Sequence, residues 1–110
     1  MGVITGYISA GKPDNLRRVL ADPLYKEVVN EREDGQTPLT RALWHLDGRL
    51  GSNTSRAQGV EMVRILIENG ADPNIPNASG RVPLDLAHDI YDEQLIEMLK
   101  KAGARRAVGR

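Results

Sequence analysis

Two ten-residue segments of this chain repeat each other without a gap: DGQTPLTRAL at 34–43 and SGRVPLDLAH at 79–88, with Gly35 matched to Gly80 at a separation of 45. A second pair returns at a different interval, because VRILIENGAD (63–72) is echoed in IEMLKKAGAR (96–105), which sets Gly70-Ala71 and Gly103-Ala104 33 residues apart. Repetition at such periods constrains a chain more than its composition does. Each repeat is one supersecondary unit that cannot bury its apolar face alone, so copies must stack. The intervals differ by 12 residues, and the polar, Gly/Ser-rich stretch DGRLGSNTSRAQG (47–59) is where an insertion fits.

The repeated segments read as helix pairs. Thr37 is placed to cap a helix start, and Pro38 suits the first helical position because it has no amide hydrogen to leave unpaired. Leu39, Ala42, Leu43 and Leu46 follow at spacings of three and four and make one apolar stripe. A second helix carries Val60, Val63, Leu66 and Ile67 in the same way, and Gly70 supplies the left-handed residue that ends it. Stacked pairs share one continuous thin core, in keeping with an apolar set of Leu, Ile, Val and Ala and no Phe. In the last unit Lys100 and Lys101 stand where Ile67 and Glu68 stand in the one before, as expected of a solvent-facing end.

These residues resemble the ankyrin-repeat family: a glycine turn, a Thr-Pro-Leu helix start, and a second helix ending in Gly-Ala-Asp followed by Asn. The match is close in DGQTPLTRAL and in VEMVRILIENGADPN (60–74), looser from Gly80 to Gly103, and degenerate over the first unit, where Gly11, Leu16, Val19 and Leu20 carry it. Thr40 and Asp85 stand where the family usually has the histidine that bonds the helix-start threonine. The resemblance implies an all-α solenoid of helix-turn-helix units at about 2–34, 35–79 and 80–104, one domain over 1–104, followed by a basic tail at 105–110. It further implies a non-enzymatic module that binds another protein through its concave face, with no cofactor. A small inhibitor or immunity-type protein and an adaptor bridging two proteins both fit.

Composition narrows the alternatives. Fifteen basic and fifteen acidic side chains cancel, so no global field draws the molecule to nucleic acid or to an anionic membrane. Cysteine is absent, no apolar run approaches a membrane span, and the opening MGVITGYISAG lacks a basic leader segment; a cytoplasmic protein, monomeric on its own, is expected. Gly6 to Lys12 matches the spacing of a phosphate-binding loop, but Pro13 replaces the magnesium-binding Ser or Thr and no strand has room to precede it. His45 and His88 lie far apart with no cluster around them, so no metal site is expected. Asp89, Asp92 and Glu93 read as a solvated acidic edge at a turn rather than an acid-base pair. The tail KKAGARRAVGR has the charge to neutralise phosphates but no aromatic residue to stack on bases, so nucleic-acid binding through it is the lesser alternative.

The candidate partner-binding residues follow from the resemblance. Trp44, the one tryptophan, lies off the apolar stripe at a helix position that faces the groove in the family. Arg41 and His45 share its helix, Glu33, Asp34 and Gln36 occupy the turn beside it, and Ser79, Arg81, Asp89 and Ile90 take the matching places in the next unit. An acidic turn, an aromatic anchor and an arginine suit a protein surface better than a phosphate backbone.

Overall fold

The computed structural model describes residues 3–33, 35–46 and 55–106. Those residues form seven helices: α1 (Val3–Ala10), α2 (Pro13–Leu20), α3 (Pro23–Lys26), α4 (Pro38–Leu46), α5 (Arg56–Glu68), α6 (Pro83–Ile90) and α7 (Glu93–Lys101). Three antiparallel pairs stack in two rows. α1, α4 and α6 pack side by side in one row, and α2, α5 and α7 form the other, with α5 held more closely to α2 than to α7. The apolar stripes meet between the rows, where Ile8, Leu16, Leu20, Ala42, Leu43, Val63, Leu66, Leu95 and Leu99 are fully buried.

Local chemistry sets the helix boundaries. Four of the seven helices begin with proline (α2, α3, α4 and α6), which costs nothing at a position whose amide has no helical partner. Thr37 caps α4 by accepting from the Thr40 amide at 3.1 Å. The Thr40 hydroxyl in turn donates to the Thr37 carbonyl at 3.1 Å, so two buried threonines satisfy each other in the place of the family's histidine. Ser55 and Gln58 form a reciprocal capping box at the start of α5. That corrects the insertion expected at 47–59: residues 55–59 are helix cap and first turn, because Ser-x-x-Gln satisfies the free amides there. Residues 47–54 lie outside the described residues.

The units are stitched by two asparagines. The Asn30 side chain donates to the Gly70 carbonyl at 3.1 Å and accepts from the Asp72 amide at 2.6 Å. Asn74 repeats this one unit later, with the Gly103 carbonyl at 3.1 Å and the Arg105 amide at 2.9 Å. Each bridge satisfies backbone groups left over where a helix of the following unit ends at a left-handed glycine, Gly70 (φ 99) or Gly103 (φ 95). The turns between units stack too, the Ala78 amide donating to the Gly35 carbonyl at 2.7 Å.

The first unit is less degenerate in space than in sequence. α1 and α2 form a proper helical hairpin around Gly11 (φ 68), and α3 is an addition. Ala21-Asp22-Pro23 copies Ala71-Asp72-Pro73, down to an aspartate side chain that accepts from the amide two residues on. Six residues, LYKEVV, then separate this copy from Asn30, and α3, which begins at Pro23, runs into them.

Candidate partner-binding face

The row α1–α4–α6 and the turns at 33–36 and 75–81 position the candidate side chains. Trp44 sits in the last turn of α4, 39% exposed, while Leu43 and Leu46 on either side are buried. The indole meets His45 edge to face, with ring centroids 5.3 Å apart and planes at 69°. His45 is half-buried, and its Nε2 lies 3.3 Å from Ser9 Oγ on α1, a contact that ties two units together beside the indole. Ser9 was not among the candidate residues. Its place is legible only once α1 is aligned with α6 by their ends, Gly11 with Tyr91, and α6 with α4 by Pro83 and Pro38, because Ser9 then matches Trp44.

Most of the charged candidates are engaged within the molecule. Arg41 donates from Nη2 to the Glu33 carbonyl at 3.1 Å, which fastens the turn to α4. Its Nε and the Gln36 side-chain oxygen are buried without a hydrogen-bond partner. The Arg81 guanidinium is paired with Asp89. Ser79 is exposed, its amide held by Asn77 Oδ1 at 2.9 Å. Ile90 is half-buried and packed against the core, so it belongs to the solenoid more than to the surface, its apolar side chain being covered by its neighbours. Asp34 lies outside the described residues. Of the candidates, then, the structure leaves Trp44 as the large apolar side chain with free surface, while Arg41 fastens a turn and Arg81 pairs with Asp89 at the surface.

The basic tail is likewise partly engaged. Arg106 Nε donates to Asp85 at 2.7 Å, and the Arg105 amide belongs to the Asn74 bridge. Asp92, which caps α7, is pushed up by burial, but the hydrogen bond from Arg56 and the amide of Leu95 outweigh that and hold its carboxyl below the ordinary range. Residues 107–110 lie outside the described residues.

One aromatic escaped the sequence reasoning. Tyr91 ends α6 in the left-handed conformation (φ 61), a position filled by Gly11 at the end of α1, and it is 89% exposed. A left-handed tyrosine carries steric strain that glycine would not. The signal lay in the alignment of Tyr91 with Gly11.

Burial and the positive charge of Arg41 lower the His45 pKa below its ordinary value. The folded state therefore binds a proton at His45 less readily than the unfolded chain does. Its contribution to stability is fully present above the unfolded value of about 6.5 and is lost as pH falls through the lower folded value. We expect urea midpoints to decline below about pH 6.5 and His45→Gln to flatten that decline. A profile unchanged by the substitution assigns the decline to other groups.

Comparison with known proteins places these features. A family model for the ankyrin repeat matches residues 34–78. The ankyrin repeat protein YahD of Escherichia coli is 33% identical over 70 residues, which is 64% of this chain and 31% of that protein. An ankyrin repeat-containing protein of Saccharomyces cerevisiae is 38% identical over 69 residues, 63% of this chain and 35% of that protein. The chain thus spans about a third of the length of these relatives. The crystal structure of an ankyrin repeat domain from Acinetobacter baumannii matches with a TM-score of 0.77 at 22% identity, covering 93% of this chain and 47% of that one.

Proposed function

Because the chain belongs to the ankyrin-repeat family, whose repeats are generally protein–protein interaction modules, we propose that it binds a protein partner through the row α1–α4–α6 and its adjoining turns, with Trp44 as the anchor. The observation that carries this is the exposed indole of Trp44 between buried leucines, on the row where ankyrin solenoids present their binding groove. Aromatic anchors of this kind dominate binding energy when a partner desolvates them. Arg41 and the Arg81–Asp89 pair shape the surroundings, holding the turns in place while the indole makes the contact. With three units the groove is small, and an interface at or below the standard size of about 1,600 Å² draws its affinity from few residues. Such a module suits occlusion of one cognate protein, as an inhibitor does.

The test starts in the native host. A photo-crosslinker placed at Ser79, exposed in the turn that leads into α6, identifies the partner, which is then purified and titrated against the chain. Trp44 is the sole tryptophan, so its fluorescence reports its own burial when the partner contributes no signal change. We expect Trp44→Ala to weaken binding by about 30-fold or more, equivalent to about 2 kcal/mol, and to move the unfolding free energy by less than about 1 kcal/mol. Undiminished affinity of the alanine variant overturns the assignment, and so does its unfolding.

A further inference from the structure

We infer that Asn69-Gly70 is a self-modification site that the fold holds shut: the Asn69 side chain converts to an acid when the end of α5 opens, and the product loosens the joint between the first two units. The chain has six asparagines, and Asn69 alone is followed by glycine. Without a Cβ to crowd it, the Gly70 nitrogen can reach the side-chain carbonyl carbon of Asn69. In that reaction the Gly70 nitrogen bonds to Asn69 Cγ, the Cγ–Nδ2 bond breaks, and ammonia leaves with the proton that the Gly70 amide gave up. Water then opens the cyclic imide on either side. Cleavage at Cγ gives aspartate. Cleavage at the backbone carbonyl gives isoaspartate, whose main chain runs through the side chain and is a methylene longer. Water is the sole co-reactant, and nothing is oxidised or reduced.

The folded geometry opposes the first step. Asn69 ends α5 with φ −105 and ψ 18, which nearly eclipses the Gly70 nitrogen with the Asn69 nitrogen and so turns it away from Cβ and Cγ. The Gly70 N–H, which must lose its proton, donates to the Ile67 carbonyl at 3.2 Å. Nδ2 of Asn69, the leaving group, donates to the Ile65 carbonyl at 2.8 Å. Across the joint, the Asn30 side chain of the first unit holds the Gly70 carbonyl and the Asp72 amide, so the Gly70 backbone is fixed on both sides while that unit is docked. Gly70 itself is exposed, and water reaches it once it turns. Helix ends open at far smaller cost than the whole domain, so the reaction proceeds from a local opening. The product then fits the closed site worse than the reactant did. Either acid sets a carboxylate oxygen against the Ile65 carbonyl in place of an amide donor, at the helix end where the dipole is already negative. Isoaspartate also shifts Gly70 relative to Asn30. The change runs one way and weakens the joint that had restrained it.

Peptide mapping by mass spectrometry tests this on the whole chain, incubated at mildly alkaline pH both folded and in urea. The tryptic fragment between Arg64 and Arg81 carries Asn69 together with Asn74 and Asn77, which serve as internal references. In urea Asn69 should convert fastest of the three, and in the folded chain about tenfold more slowly or less. Asn30→Ala should raise the folded rate by about fivefold or more and leave the rate in urea unchanged. Asn74→Ala cuts the equivalent bridge one unit later and should raise it clearly less, which separates release of this joint from a general loss of stability. Asn69→Asp should unfold at a lower urea concentration than Asn69→Ala, because alanine removes the donor without adding a charge; circular dichroism checks that both remain helical. Conversion at one rate in the folded and unfolded chains overturns the inference. So does equal acceleration by Asn30→Ala and Asn74→Ala, or an Asn69→Asp chain as stable as Asn69→Ala.

Discussion

Leu66→Ala is expected to lower the unfolding free energy by about 2 to 5 kcal/mol, measured from the urea midpoint at constant slope. Leu66 is fully buried in α5, the helix that packs against α2, α4 and α7. Removing its branched end leaves a cavity that helices fixed on several sides cannot close. Against a total stability of about 5 to 15 kcal/mol for an ordinary domain, such a loss brings the chain close to unfolding. Ile67, its half-buried neighbour, serves as the control. Alanine there should cost clearly less, and equal losses at the two positions would mean that the core is not where the structure puts it.

The second large effect is expected at Gly59. This glycine lies buried in the first turn of α5, against the side chain of Leu46 at the end of α4. A Cβ built at Gly59 stands 2.6 Å from Leu46 Cγ, well inside van der Waals contact. Exposed helical glycines are usually improved by about 1 kcal/mol on replacement, but here crowding opposes the gain. Gly59→Val adds a branched group at the tightest point, and we expect a loss of about 3 kcal/mol or more. Trimming the opposing residue supplies the check. In the Leu46→Ala background Gly59→Val should cost much less, giving a favourable coupling between the two sites. Additive losses would show that the helices do not touch there.

How much of this was legible beforehand can be judged from the same residues. The stripe through Leu39, Ala42, Leu43 and Leu46, the end of α5 at Gly70 and the turn at Gly11 were all readable, because each depends on chemistry within a few residues. The close approach of Gly59 to Leu46 was not. In the sequence Gly59 belongs to the Gly/Ser-rich stretch at 47–59, since a glycine required by another helix looks, in one dimension, like a glycine that loosens a loop. α3 was hidden for a related reason: the repeated Ala-Asp-Pro at 21–23 marks the end of a unit, but the six residues after it break the spacing that would have exposed the match. On the candidate face Trp44 was legible as an outlier from the apolar stripe. That Arg41 turns to the Glu33 carbonyl and that Arg81 pairs with Asp89 depend on how turns and helices of one unit meet, which spacing along the chain does not encode.

The asparagine bridges have a consequence for how the molecule comes apart. The amide hydrogens of Asp72 and Arg105 are each shielded by a side chain contributed from the preceding unit, so their exchange with solvent deuterium records whether that unit is still in place. Slow exchange at Arg105 alongside fast exchange at Asp72 would mark a chain fraying from its first unit inward, and the reverse pattern would mark loss of the last. Two backbone hydrogens thus serve as built-in clocks for the order of disassembly.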